Sequence, residues 1–122
     1  YLIYGNEQRL SEVFNNLIDN ALSFNKNNKK IEIFLKSNKN NVFVEINDYG
    51  TGIHINNFNK IFERFYTERP SEEKFGQHSG LGLSIVKQIL DVHKGVITVK
   101  NRLDKNKKII GAKFIITLKK VI

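Results

Sequence analysis

Between Asn6 and Phe24 the apolar residues fall at Leu10, Val13, Phe14, Leu17, Ile18 and Ala21, the spacing of one helical face. Asn6 is suited to cap the start of that helix, with Glu7 and Gln8 in its first turn, and the polar run from Asn25 to Lys30 ends it. The period then shortens to two. Ile31, Ile33 and Leu35 alternate with polar or outward residues, as do Val42, Val44 and Ile46, on either side of the turn-rich segment from Ser37 to Asn41, which predicts a hairpin. Phe58, Ile61, Phe62 and Phe65 predict a short helix. The charged stretch from Thr67 to Ser79 has no period and holds the only proline, Pro70, as a lid-like loop would. A second long helix is predicted from Gly82 to about His93 through Leu83, Val86, Ile89 and Leu90, stopped by Gly95. Strands near Val96 to Lys100 and Lys113 to Lys119 follow around a lysine-rich turn. The pattern predicts an α/β two-layer sandwich: a mixed, mostly antiparallel sheet covered on one face by about three helices.

At 122 residues and 40% hydrophobic content, the chain suffices for one domain, residues 1–122, that buries roughly two-thirds of its unfolded surface. It contains no methionine, even at position 1, and is read as a piece of a longer polypeptide. No run of about 18 apolar residues and no signal peptide is present. The absence of cysteine rules out disulfide staples and cysteine-ligated zinc. A net charge of +8 invites a nucleic-acid reading. Against it, the lysines sit in loops and strand ends without interleaved aromatics, and lysine, asparagine and isoleucine are equally abundant, as an AT-rich coding bias would make them.

Three polar marks carry candidate chemistry. Glu12, Asn16 and Asn20 are spaced by four, so they form one stripe on the first helix, which is either a wet surface or a set of hard oxygens for a cation. Asn15, Asn16, Asp19 and Asn20 crowd the helix middle at about half a kcal/mol each relative to alanine, which solvent alone does not require. Asp48 precedes Gly50 and Gly52 at the end of a predicted strand, where it either starts a turn or accepts the exocyclic amine of an adenine. Gly80 and Gly82 open the second long helix, where bare amides and the positive helix end suit a phosphate.

Taken in order, these marks resemble the catalytic ATP-binding domain of bacterial sensor histidine kinases, in the superfamily that also holds DNA gyrase and mismatch-repair ATPases. Val13-Phe14-Asn15-Asn16-Leu17-Ile18-Asp19-Asn20-Ala21 resembles the family's asparagine box, Asp48-Tyr49-Gly50-Thr51-Gly52-Ile53 its first glycine box and Gly80-Leu81-Gly82-Leu83 its second. Ile61-Phe62-Glu63-Arg64-Phe65-Tyr66 is similar to the phenylalanine box of the kinases. The resemblance implies that Asn16 ligates Mg2+, Asn20 lies on the phosphate side, and Asp48 selects adenine in a pocket shaped by Gly50, Gly52 and Ile53. It further implies that Phe24 packs on the base, that Phe65 and Tyr66 flank the nucleotide, and that Gly80, Leu81, Gly82 and Leu83 border its phosphates under a flexible lid.

The cofactors so implied are ATP and Mg2+. The resemblance implies transfer of the γ-phosphoryl group to a histidine on an upstream helical dimerisation domain, with a response regulator as indirect partner. It places this domain in the cytoplasm without membrane or nucleic-acid contact, and the parent in the bacterial inner membrane. No residue of the chain is then itself a catalytic group. His54, His78 and His93 lack the family's acceptor pattern of histidine, acid and nearby proline. Departures from the family are Ser23, where a lysine is common, Thr67, where a basic residue is common, and His78-Ser79 before the second glycine box. The competing readings are an ATPase with Glu12 as general base, four residues before Asn16, and a degenerate nucleotide-binding regulatory module.

Overall fold

The computed structural model describes residues 2–25, 30–54, 58, 60–63 and 82–121. Helix α1 spans Glu7–Phe24 and begins as its sequence dictates: the Asn6 side-chain oxygen accepts the Arg9 amide at 2.9 Å. Val13, Leu17 and Ala21 form its buried edge. Strands β1 (Glu32–Ser37) and β2 (Asn41–Asn47) make the predicted hairpin. Its turn is closed by Asn38, whose side-chain oxygen accepts the amides of Asn40 and Asn41 at 3.0 and 2.8 Å. Helix α2 runs Gly82–Val92, and strands β3 (Val96–Leu103) and β4 (Ile109–Lys119) follow. Asp104 organises the turn between them by accepting the amides of Asn106 and Lys108, while Lys107 takes a positive φ of 62°.

The four strands lie in the order β1-β2-β4-β3, and every neighbouring pair is antiparallel. Strand β4 is therefore central, and Ala112, Phe114, Ile116 and Leu118 alternate from it into the core against Leu17, Val86 and Leu90. Helix α1 packs over β2 and against α2, and α2 packs over β3, all on one face. The sandwich is as expected. Among the described residues the helical layer consists of two α-helices and a 3-10 turn at Lys60–Phe62, in place of about three helices. That turn carries Ile61 into the core and is what the structure describes of the predicted short helix; Phe65 and the predicted lid from Thr67 to Ser79 lie outside the described residues. Among the described residues no helix is long and apolar enough to cross a membrane.

Two sequence expectations are corrected. Ile33 and Leu35 stand opposite Ile46 and Val44, so they point to the helical face, yet they are 50% and 56% exposed because β1 is an edge strand lying beyond α1. Gly95 does not supply the left-handed residue that stops α2. Lys94 does, with φ 58°; its amide bonds the Asp91 carbonyl at 3.1 Å and the Gly95 amide bonds the Leu90 carbonyl at 2.8 Å, the paired bonds of a Schellman ending. Glycine is required one position later because a Cβ there would lie 2.8 Å from Leu118 Cδ2 and 3.1 Å from the Thr117 carbonyl oxygen.

This end of α2 also anchors the entering chain. The Asn6 amide donates to His93 Nε2 at 3.0 Å, and His93 Nδ1 lies 2.8 Å from the Ile89 carbonyl. A carbonyl can only accept, so Nδ1 carries the proton and Nε2 is the acceptor.

Lys94→Gly should raise the unfolding free energy by about 0.5–1 kcal/mol by relieving the left-handed side chain, and Gly95→Ala should lower it. Urea unfolding of the two variants checks the assignment; the opposite ordering would contradict it.

Candidate functional site

At the end of β2 the backbone leaves the sheet through Asp48. Its amide continues the ladder to the Ala112 carbonyl at 3.0 Å, but the returning bond, from the Ala112 amide, goes to Asp48 Oδ1 at 2.9 Å instead of to the Asp48 carbonyl. The side chain thus substitutes for the main chain in the pair, and the carbonyl is released to the Arg102 guanidinium. Gly50 adds a second amide to Oδ1 at 2.9 Å. Both bonds converge on one oxygen, which leaves Oδ2 without a donor among the described residues. Asp48 is 2% exposed, and burial pushes its pKa above the ordinary value; the Ala112 and Gly50 amides and the Arg102 charge pull it back only in part.

Glycines let the surrounding chains approach. At Gly111 a Cβ would overlap the Asp48 carbonyl oxygen, and at Gly50 it would overlap the Phe24 carbonyl oxygen at the end of α1. Gly52 holds a positive φ of 77°. From the helix side, Asn25 accepts the Tyr49 amide at 2.9 Å, so the C-terminus of α1 is fastened to the loop that follows Asp48. Ile53 is held at both its amide and its carbonyl by Asn101, at 2.7 and 2.8 Å.

More than two turns back along α1, Asn16 is half-buried and its Nδ2 donates to the Glu12 carbonyl at 2.9 Å. The amide nitrogen is thereby engaged and Oδ1 is turned toward the start of α2, where a Cβ on Gly82 would come within 3.1 Å of it. Asn20 follows on the same stripe, half-buried, with its carbonyl accepting the Ser23 hydroxyl at 2.9 Å. The asparagine stripe and the first residue of α2 therefore meet, as the order of motifs required. Glu12 points elsewhere: its carboxylate pairs with Arg9 at 3.6 Å, toward the N-terminal end of the helix. Leu83 is partly buried and packs against the core. Phe65, Tyr66, Gly80 and Leu81 lie outside the described residues, as do Thr67 and His78.

The residues present fit a magnesium ion of the kind that completes its shell with ligand oxygens. Among the described residues no three His, Cys, Asp or Glu side chains gather into a metal cage, while Asn16 Oδ1 offers one hard oxygen beside a helix N-terminus. Sequence reasoning missed Asn25, Asn101, Arg102, Gly111 and Ala112. The available signals were a glycine inside a strand, which marks a close backbone approach, and an asparagine late in β3, where strand propensity disfavours it.

The chain is similar to known proteins in sequence and in fold. The model of the histidine kinase-, DNA gyrase B-, and HSP90-like ATPase family matches residues 5–122. The chain is 41% identical over 119 residues to the sensor protein ChvG of Agrobacterium fabrum (strain C58 / ATCC 33970), an alignment that covers 97% of this chain and 20% of that protein. Among solved structures, a mycobacterial sensor histidine kinase, MprB, superposes with a TM-score of 0.81 at 27% identity, over 96% of this chain and 74% of that one. A nucleotide-free catalytic domain of the histidine kinase ThkA gives 0.79 at 31% identity, over 97% and 70%. The chain spans about a fifth of the length of the ChvG relative it matches. It belongs to the histidine kinase-, DNA gyrase B- and HSP90-like ATPase family.

Proposed function

We propose that the chain is the nucleotide-binding part of a sensor histidine kinase, which binds Mg-ATP and presents the γ-phosphoryl group to a histidine on a separate helical domain of its parent. The observation that carries this reading is the buried Asp48 carboxylate, with Oδ1 saturated by two backbone amides and Oδ2 left to accept. An adenine exocyclic amine supplies the missing donor there. Guanine would bring a carbonyl against a buried anion and be rejected. Gly50 lets the end of α1 approach the loop, and Gly52 holds its positive φ against Asn101.

Asn16 Oδ1 is the protein's ligand for Mg2+, which when bound neutralises charge on the phosphates during in-line transfer. Gly82 opens α2, and the amides of that first turn would face the same phosphates. Phe24 ends α1 beside Gly50 and would pack on the base. His93 is unsuited to accept a phosphoryl group because both of its ring nitrogens are engaged, one by Asn6 and one by Ile89. The pairing of Glu12 with Arg9 favours phosphotransfer over water activation by that carboxylate. The parent would signal through a response regulator from a membrane-anchored position, with this domain on the cytoplasmic side.

Asp48→Asn keeps an oxygen for Gly50 and Ala112 and removes the charge. ATP affinity should fall about ten- to a hundredfold, the worth of a charge-assisted hydrogen bond, in a calorimetric titration. The same variant should not destabilise the free protein at pH 7. The folded-state pKa of Asp48 is raised, so the native protein binds its proton more tightly than the unfolded chain, and this group's contribution to stability falls as pH rises from the ordinary 3.8 through the raised value. The stability difference, variant minus wild type, should therefore climb across that window and flatten above it; a variant that loses stability instead would contradict the assignment.

Asn16→Ala should reduce ATP affinity in magnesium to the level the wild type shows in EDTA. Fluorescent-nucleotide titrations with and without the metal read this out, and a retained magnesium effect would remove Asn16 from the ligand set.

A further inference from the structure

We propose that Asn101 and Arg102, consecutive residues of β3, are the positioning residues for base recognition: together they fix both ends of the loop from Asp48 to Ile53 and so set where the Asp48 carboxylate stands. The inference rests on the adenine reading of Asp48. Successive strand residues point to opposite faces of the sheet, so the pair grips the loop from two sides. Asn101 takes the helical side and holds Ile53 through both its amide groups, at 2.7 and 2.8 Å, in the manner of a neighbouring strand.

Arg102 takes the open face. Its NH1 donates to the Asp48 carbonyl, the group displaced from the β2–β4 ladder by its own side chain. Its NH2 lies 3.5 Å from Glu32 Oε1, and its guanidinium sits 4.5 Å from the centre of the Tyr49 ring. Tyr49 closes the set by donating its hydroxyl to the same Glu32 oxygen at 3.0 Å. The guanidinium is thus oriented by three partners, on β1, on the loop and on the Asp48 main chain, and its side chain is 16% exposed. Glu32 and Arg102 belong to the two outer strands of the sheet, so this clasp crosses β2 and β4 beneath the loop. The pairing of β3 with β4 slips between Arg102 and Leu103, an irregularity of the kind that re-aims a side chain.

Lysine cannot reproduce this geometry. It offers a single charged centre without the planar fork or the stacking surface. Nor can aspartate replace Asn101, since it would set a carboxylate against the Ile53 carbonyl. A residue that only supports the fold would change affinity for every nucleotide alike, whereas one that places Asp48 changes the discrimination between bases.

The test compares ATP with inosine triphosphate, which carries a carbonyl where adenine carries its amine, by calorimetry on the wild-type chain and on Arg102→Gln, Arg102→Lys and Asn101→Asp, each checked for a cooperative melt. The wild type should prefer ATP by about ten- to a hundredfold. In Arg102→Gln and Asn101→Asp the preference should collapse to within about threefold, and Arg102→Lys should fall between. If Arg102→Gln does not fold, Arg102→Lys and Asn101→Asp carry the same comparison. A preference that survives unchanged in the folded variants, including one where both affinities drop by a common factor, overturns this inference and leaves the Asp48 reading standing. A wild type without preference overturns both.

Discussion

The pairing of Asp48 with Ala112 is the constraint from which the site follows. An antiparallel pair ordinarily exchanges two main-chain bonds, and here one of the two acceptors is a side-chain carboxylate. Once Oδ1 takes that place, the main-chain carbonyl must find another donor and the chain must turn away from the sheet. Arg102 provides the donor. Gly111 and Gly50 provide the room, since neither the displaced carbonyl nor the end of α1 tolerates a Cβ beside it. Burial makes the arrangement costly for a charged group, which is why the Asp48 pKa stays raised despite two amides and a nearby guanidinium.

The rest of the sheet shows how a half-buried acid is treated. Glu45 sits on the open face between Lys36 and Lys113, at 3.6 and 3.7 Å, and accepts the Asn47 amide at 3.1 Å. Burial pushes its pKa up, but the Asn47 bond and the two lysines outweigh it and leave the carboxyl below its usual range. Asp48 receives no such compensation at Oδ2. Two acids a few residues apart, one on the strand and one at its exit, are therefore shifted in opposite directions from the ordinary carboxylate values.

Much of the fold could be read from the chain because its determinants are local. The helix from Glu7 to Phe24 announces itself through a 3.6-residue apolar period and an asparagine cap, and the hairpin through alternation around an asparagine-rich turn. Of the candidate residues, Asn16 comes beside Gly82, and Asp48 accepts the Gly50 amide. What escaped the sequence depends on distant partners. Asn101 bonds a residue 48 positions away and Arg102 one 54 positions away, separations that leave no periodic trace. Lys94 defeated a local rule because the close approach of Leu118 claims the glycine at the next position. Ile33 and Leu35 obeyed the alternation and still remained half-exposed, since strand order, which periodicity does not encode, put them at an edge.

A buried carboxylate with one free oxygen should choose among purines before any chemistry occurs. Titration calorimetry of the wild-type chain with ATP, ADP and GTP in magnesium measures that choice directly. Saturable one-to-one heats with both adenine nucleotides, and none with GTP at the same concentrations, is the predicted result. A flat trace with ATP and ADP on cooperatively folding protein, or GTP bound as tightly as ATP, would contradict it.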